Sequence, residues 1–244
     1  MNKLFLSAVC CCLVIQAMAG EPGWKIAPAL GIDMGGAVPI PFSSIPDGSK
    51  GTPRLTPNLG LGFQYSLNNK WNIVAEVNYH ILSYTAMANV RSQPFWSDDR
   101  SYSLYFSGEA HSSTELRFVE FPVLACLQPG EHWSLVFGGY YSRMIEGTFE
   151  TEGKNGWISA NKEDTDTAPL PGTQSTNYDF SEELDRFDWG ALIGYQYKIS
   201  PRILFWGRFH WGFKSIFKQE FQNIDYEMYQ LRLSTGISFT LFKG

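Results

Sequence analysis

MYQLRLSTGISFTLF, residues Met228–Phe242, is the stretch on which the fold turns. Tyr229, Leu231, Leu233, Thr235, Ile237, Phe239 and Leu241 share one face of an extended strand. Gln230, Arg232, Ser234, Gly236, Ser238 and Thr240 share the other. Successive side chains of a strand point to opposite faces, so this alternation puts one face in an apolar medium and the other in a polar one. The run exceeds the soluble norm of about five or six residues. It is long enough for the roughly nine to eleven tilted residues that cross a bilayer.

Seven further segments have the same character: Trp24–Gly35, Arg54–Leu67, Trp71–Tyr84, Thr114–Leu127, Trp133–Thr148, Phe187–Ile199 and Ile203–Lys214. Alternation is complete in Arg54–Leu67 and looser in Trp133–Thr148; Pro28 weakens the first, because it has no N–H to give to a ladder. Short turns at 68–70, 128–132 and 200–202 alternate with long connections at 36–53, 85–113, 149–186 and 218–225. The pattern predicts an all-β fold, a transmembrane eight-stranded antiparallel up-and-down β-barrel. Short turns and both termini then lie in the periplasm and long loops outside. Trp71, Trp133 and Ile203 begin strands directly after short turns, as an interfacial girdle would. The soluble alternative, a lipocalin-like barrel with its apolar faces inward, gives no reason for that placement.

The composition agrees. Aromatic residues make up 16% of the 244, yet the mean hydropathy is only −0.18. Lys3, the apolar run Leu4–Ile15 and Ala17-Met18-Ala19 read as a secretory signal over residues 1–19, leaving a barrel domain over 20–244. Cys10, Cys11 and Cys12 fall within that signal, so the mature chain keeps Cys126 and can form no intrachain disulfide. The net charge of −5 becomes about −6 once Lys3 is removed. Without a basic patch, nucleic acid is not an expected partner. No apolar run beyond the signal approaches the 18 or so residues of a membrane helix. The expected partners are outer-membrane lipid and lipopolysaccharide, with the barrel-assembly machinery during biogenesis. The protein is expected to be a monomer with no cofactor.

Phe118-Val119-Glu120-Phe121-Pro122-Val123-Leu124 resembles the Glu-x-Pro signature of the PorT-like outer-membrane β-barrel family. Phe187-Asp188-Trp189-Gly190 with Ile193-Gly194 is similar to that family's Asp-x-Gly strand, and Leu233–Phe239 to its closing strand. The resemblance spans the mature chain. It implies a small outer-membrane barrel, usually without an assigned activity; one member serves in a secretion system for surface proteins.

Charged residues on the inward faces are the candidate site: Glu76, Glu120, Arg208, His210 and Arg232. An eight-stranded barrel is just wide enough for side chains to fill. Buried charges are tolerable when paired. Carboxylates and guanidiniums are therefore expected to meet across the lumen, Arg232 with either Glu76 or Glu120, as a polar plug. A gate, or a path for protons or small solutes, is the sharper alternative. Cys126 is expected to fill space inside. Glu76 and Glu120 have no nucleophile pattern beside them, so no catalytic residue is assigned. His80 and His210 point inward, His111 sits in a loop and His132 in a turn, so no His, Ser and acid converge on the lipid face. The connection 149–186 carries nine acidic residues, a composition calcium favours, but without EF-hand spacing; no metal site is assigned. An extracellular ligand would be met at loops 85–113 and 149–186. The reading is a non-enzymatic outer-membrane protein with a structural or surface-interaction role. Transport of small or apolar solutes and lipid modification are the alternatives.

Overall fold

The computed structural model describes residues 23–45, 48–96, 103–159, 175–221 and 226–243. The signal read over residues 1–19 lies outside these. Eleven strands form one sheet among the described residues: β1 (Trp24–Pro39), β2 (Lys50–Pro53), β3 (Thr56–Ser66), β4 (Trp71–Trp96), β5 (Ser103–Leu127), β6 (Trp133–Ser159), β7 (Ser175–Asp179), β8 (Phe187–Lys198), β9 (Ile203–Ser215), β10 (Met228–Phe239) and β11 (Phe242–Lys243). Eight of them, β1, β3, β4, β5, β6, β8, β9 and β10, pair antiparallel in that order, and β10 returns to β1 to close the ring.

The short turns are fixed by their own side chains. Asn68 Oδ1 accepts from the backbone N–H groups of Lys70 and Trp71, each at 2.9 Å. Ser200 Oγ accepts from the N–H of Ile203 at 3.1 Å. Such Asx- and Ser-type turns let a strand reverse in few residues.

Burial is inverted relative to a soluble protein. The outward row of β5, Val119 to Leu127, is apolar, and Val123 is 59% exposed; its inward neighbour Glu120 is 1% exposed. Ile193 on β8 and Leu30 on β1 are likewise bare, at 63% and 56%. Nine tilted residues of β5 span roughly 25 Å, the height of an outer-membrane apolar band. Trp24, Tyr65, Trp133 and Phe239 are exposed near the short-turn end of that band.

Two differences from the sequence reading have physical causes. The closing strand does not run unbroken to Phe242. Ala29 pairs with Ser238 on β10, whereas Lys25 pairs with Lys243 on β11, a one-residue shift in register. The interruption falls opposite Ala27 and Pro28, so the ladder breaks where Pro28 has no N–H to offer. On its other side Pro28 pairs normally with Leu61.

The second difference is larger. Most described residues of connections 85–113 and 149–186 are strand, not loop. β4, β5 and β6 run on without interruption for 26, 25 and 27 residues, about twice the 12 of β8. β2 pairs with β4 over Tyr84–Met87 and β7 with β6 over Glu150–Lys154. The result is a sheet of order β2-β4-β5-β6-β7 that rises from one side of the barrel.

Candidate functional site

The inward faces of the ring converge on a buried polar cluster. β4 supplies Glu76, Asn78 and His80, β5 supplies Glu120, β9 supplies Arg208 and His210, and β10 supplies Arg232. Each lies at an even step along its strand, so alternation sends all of them to the same side of the wall. Glu76 meets Arg208 in a two-pronged contact: Nη1 donates to Oε2 at 2.5 Å and Nη2 to Oε1 at 2.6 Å. Asn78 Nδ2 also donates to Glu76 Oε2 at 3.1 Å. Parallel N–H···O bonds of this kind fix geometry as well as charge. The Arg208 guanidinium lies 4.8 Å above the Trp206 ring.

Arg232 faces Glu120 rather than Glu76. Its Nη2 donates to Glu120 Oε2 at 2.5 Å and lies 2.8 Å from His210 Nδ1. Its Nη1 is 3.4 Å from Asp33 Oδ2. His80 sits between the two acids, with Nδ1 3.7 Å from Asp33 and Nε2 3.7 Å from Glu120, and stacks on Phe118. Asn58 Nδ2 donates to Asp33 Oδ1 at 3.1 Å. Between β6 and β8, the Tyr140 hydroxyl donates to Asp188 Oδ2 at 2.9 Å. The structure thus brings all five sequence-selected residues into the lumen as two groups. It adds Asp33, His80, Tyr140 and Asp188, which face inward in the same alternation but had no partner legible from sequence.

Inward glycines seat these side chains. A Cβ at Gly194 would fall 2.3 Å from the Gly207 carbonyl oxygen and 2.9 Å from Arg208 Cγ; at Gly212 it would meet the Asp188 carboxylate. At Gly31 and Gly236 it would strike the Trp206 ring. Small residues opposite large ones are how a narrow barrel packs its interior.

Apolar layers lie on either side of the charges. Toward the short turns are Val74, Leu124, Cys126, Val136 and Leu192. Cys126 is buried and donates to Gln196 Oε1 at 3.6 Å, so it fills space inside the lumen. Toward the projecting sheet, Leu82, Leu116, Phe118, Met144, Leu184 and Phe217 belong to a second cluster. The charged groups of the lumen are buried and neutralise one another in pairs. Among the described residues no three His, Cys, Asp or Glu side chains converge as a metal set. Glu163, Asp164 and Asp166 of the acidic connection lie outside the described residues. His111 lies on the projecting sheet, 3.4 Å from Glu109, and His132 stacks on Tyr197 at the short-turn end.

A family model for the outer membrane protein beta-barrel domain matches residues 18–218. A search of curated proteins finds no match. Among solved structures, Ail, the attachment invasion locus protein of Yersinia pestis, aligns at 10% identity and a TM-score of 0.40, covering 91% of this chain and 100% of its own. OprG from Pseudomonas aeruginosa aligns at 10% identity and 0.39, covering 91% and 98%. Neisserial surface protein A aligns at 10% identity and 0.33, covering 91% and 100%.

Proposed function

The chain belongs to the outer membrane protein β-barrel domain family and sits in the outer membrane; from that premise we propose that it is a non-enzymatic surface-interaction protein. Its lumen is a structural plug, and its projecting sheet is the part that meets partners outside the cell. The observation that carries this reading is a contrast. Inside the ring, charged and apolar side chains are buried level after level, as in a soluble core. On one side of the ring, three strands continue for about a dozen residues past the apolar band.

A plugged lumen gives a solute no aqueous path, which weighs against the transport alternative. A lipid-modifying centre would need polar reactive groups in the lipid-facing band. His80 and His210 are inside, and His111 and His132 lie at opposite ends. The Glu120-Phe121-Pro122 signature supports the narrower PorT-like kinship, with Pro122 and Glu120 both turned into the lumen.

Two measurements test the proposal. In planar bilayers the folded barrel is expected to give no conductance steps above background; well-resolved steps would overturn the plug. On intact cells, a photo-crosslinker at Ser113, exposed on the projecting sheet, is expected to capture macromolecules, whereas one at Ile193 captures lipid. Capture of lipid alone at both positions would overturn the surface role.

A further inference from the structure

We propose that the outer end of the lumen contains a binding pocket for a small uncharged apolar molecule, about one aromatic ring or a short alkyl chain in size. The inference is separate from the surface role of the sheet. It rests on a change in side-chain size along the inward rows. Up to Tyr84, the inward positions of β4 carry bulky groups such as Leu82; beyond it they carry Ala86, Ala88 and Val90. On β5 the inward row changes in the same direction, from Phe118 and Leu116 to Ser112 and Ala110. On β6 it changes from Phe149 to Thr151 and Gly153. The wall keeps its course while its filling shrinks, and a cavity of about 110 Å³ remains.

The pocket is open over part of its surface and is otherwise bounded by named groups. Tyr84, Phe149 and Met228 form the floor, continuous with the apolar cluster below, so it is a dead end and not the mouth of a channel. Tyr178, Phe180 and Tyr226 add three further aromatic rings to the lining. Phe106, itself buried, covers the far end, held against Gly108 and Gly156, where a Cβ would lie within 2.8 Å of its ring.

The chemistry of the lining selects the guest. No Lys, Arg, Asp or Glu side chain lines the cavity among the described residues. Its polar side-chain groups are Gln93, Ser112, Thr151 and the hydroxyls of Tyr84, Tyr178 and Tyr226; Ser112 Oγ and Thr151 Oγ1 hydrogen-bond to each other at 2.9 Å, and most of the lining surface is apolar. A water needs two to four polar partners to settle, whereas apolar cavities on the order of 150 Å³ stay dry and take up benzene. Aromatic rings around the space add edge and face contacts that favour a flat guest.

Toluene is the probe. The full mature chain, labelled with ¹³C-methyl alanine and folded in lipid nanodiscs, is titrated with toluene and followed by NMR. Methyl shifts that saturate are expected at Ala86, Ala88 and Ala110, while the outward-facing Ala75, Ala125 and Ala191 drift only with toluene dissolved in lipid. Ala88→Leu, which fills the cavity, is expected to abolish the saturable shift at Ala86 and Ala110. The proposal is overturned if inward and outward alanines respond alike, or if the saturable shift survives in Ala88→Leu folded by the heat-modifiable mobility criterion. If Ala88→Leu does not fold, the inward–outward comparison in the unaltered protein decides alone.

Discussion

Replacing Arg232 with Met tests whether the lumen is held together by neutralised charge. Met keeps most of the length of the side chain and deletes the guanidinium. That group lies 2.5 Å from Glu120 and 3.4 Å from Asp33, both essentially inaccessible to solvent. Its loss leaves two buried carboxylates with no cationic side chain against them, beside His80, His210 and the Asn58 amide that donates to Asp33. Removing one partner of a buried pair costs about 3–5 kcal/mol, because the other charge cannot return to water. With a urea dependence of about 2 kcal/mol per molar, the unfolding midpoint in lipid vesicles falls by about 1.5–2.5 M. Heat-modifiable gel mobility across a urea series reads that midpoint directly. The combination Asp33→Asn, Glu120→Gln and Arg232→Met removes the stranded charges and is expected to recover most of the loss, since an uncharged replacement of a buried pair is often neutral. A midpoint for Arg232→Met within about 0.5 M of the unaltered protein would rule out a lumen held by neutralised charge, as would a triple variant no more stable than the single one.

Five further substitutions probe other levels of the structure by the same urea series. Gly194→Ala places a methyl against the Gly207 carbonyl and Arg208, and is expected to cost about 1–3 kcal/mol. Gly139→Ala faces outward with only the Gly190 carbonyl oxygen at 3.4 Å, and should change stability by no more than about 0.5 kcal/mol. Ile193→Arg puts a cation in the lipid-facing band and should cost about 2–4 kcal/mol, against roughly 0–1 for Trp133→Arg at the girdle; equal costs would contradict the assigned depths. Arg117→Ala deletes contacts to Glu115 and Glu146 on the exposed outer face, and should leave the unfolding midpoint essentially unchanged despite an N···O distance of 2.7 Å.

The wall of the barrel was legible because lipid on one side and side-chain packing on the other force a period of two. Leu55 to Leu67 displays it without exception. The same period of two places Glu76, Glu120, Arg208, His210 and Arg232 indoors. It could not choose between Glu76 and Glu120 as the mate of Arg232. That choice depends on stagger around the whole ring, which sets Arg232 opposite His210 and beside Glu120. Asp33 went unassigned for the same reason: it is on the first strand, and its cation is on the last. The continuation of β4 through Thr85–Trp96 was hidden for a different cause. Beyond the bilayer neither face must be apolar, so Thr-Ala-Met-Ala-Asn carries no contrast to read. In the closing strand, the run of apolar residues to Phe242 masked a break imposed by Pro28 on the neighbouring strand.

The projecting sheet is joined to the barrel by continuous strands, not by flexible connections, and this has a mechanical consequence. β4 and β5 stay in antiparallel register from Trp71 and Leu127 in the wall to Trp96 and Ser103 at the top, with one shift near Val90. β6 continues alongside β5 as far as Ser159. A load applied to the top is therefore carried along the strands into the membrane-embedded wall, where many backbone hydrogen bonds share it in shear. A hinge would instead let it peel them one at a time. The sheet is a stiff, off-centre extension of the wall, so tension on it passes to the barrel as a whole and not to a hinge between them.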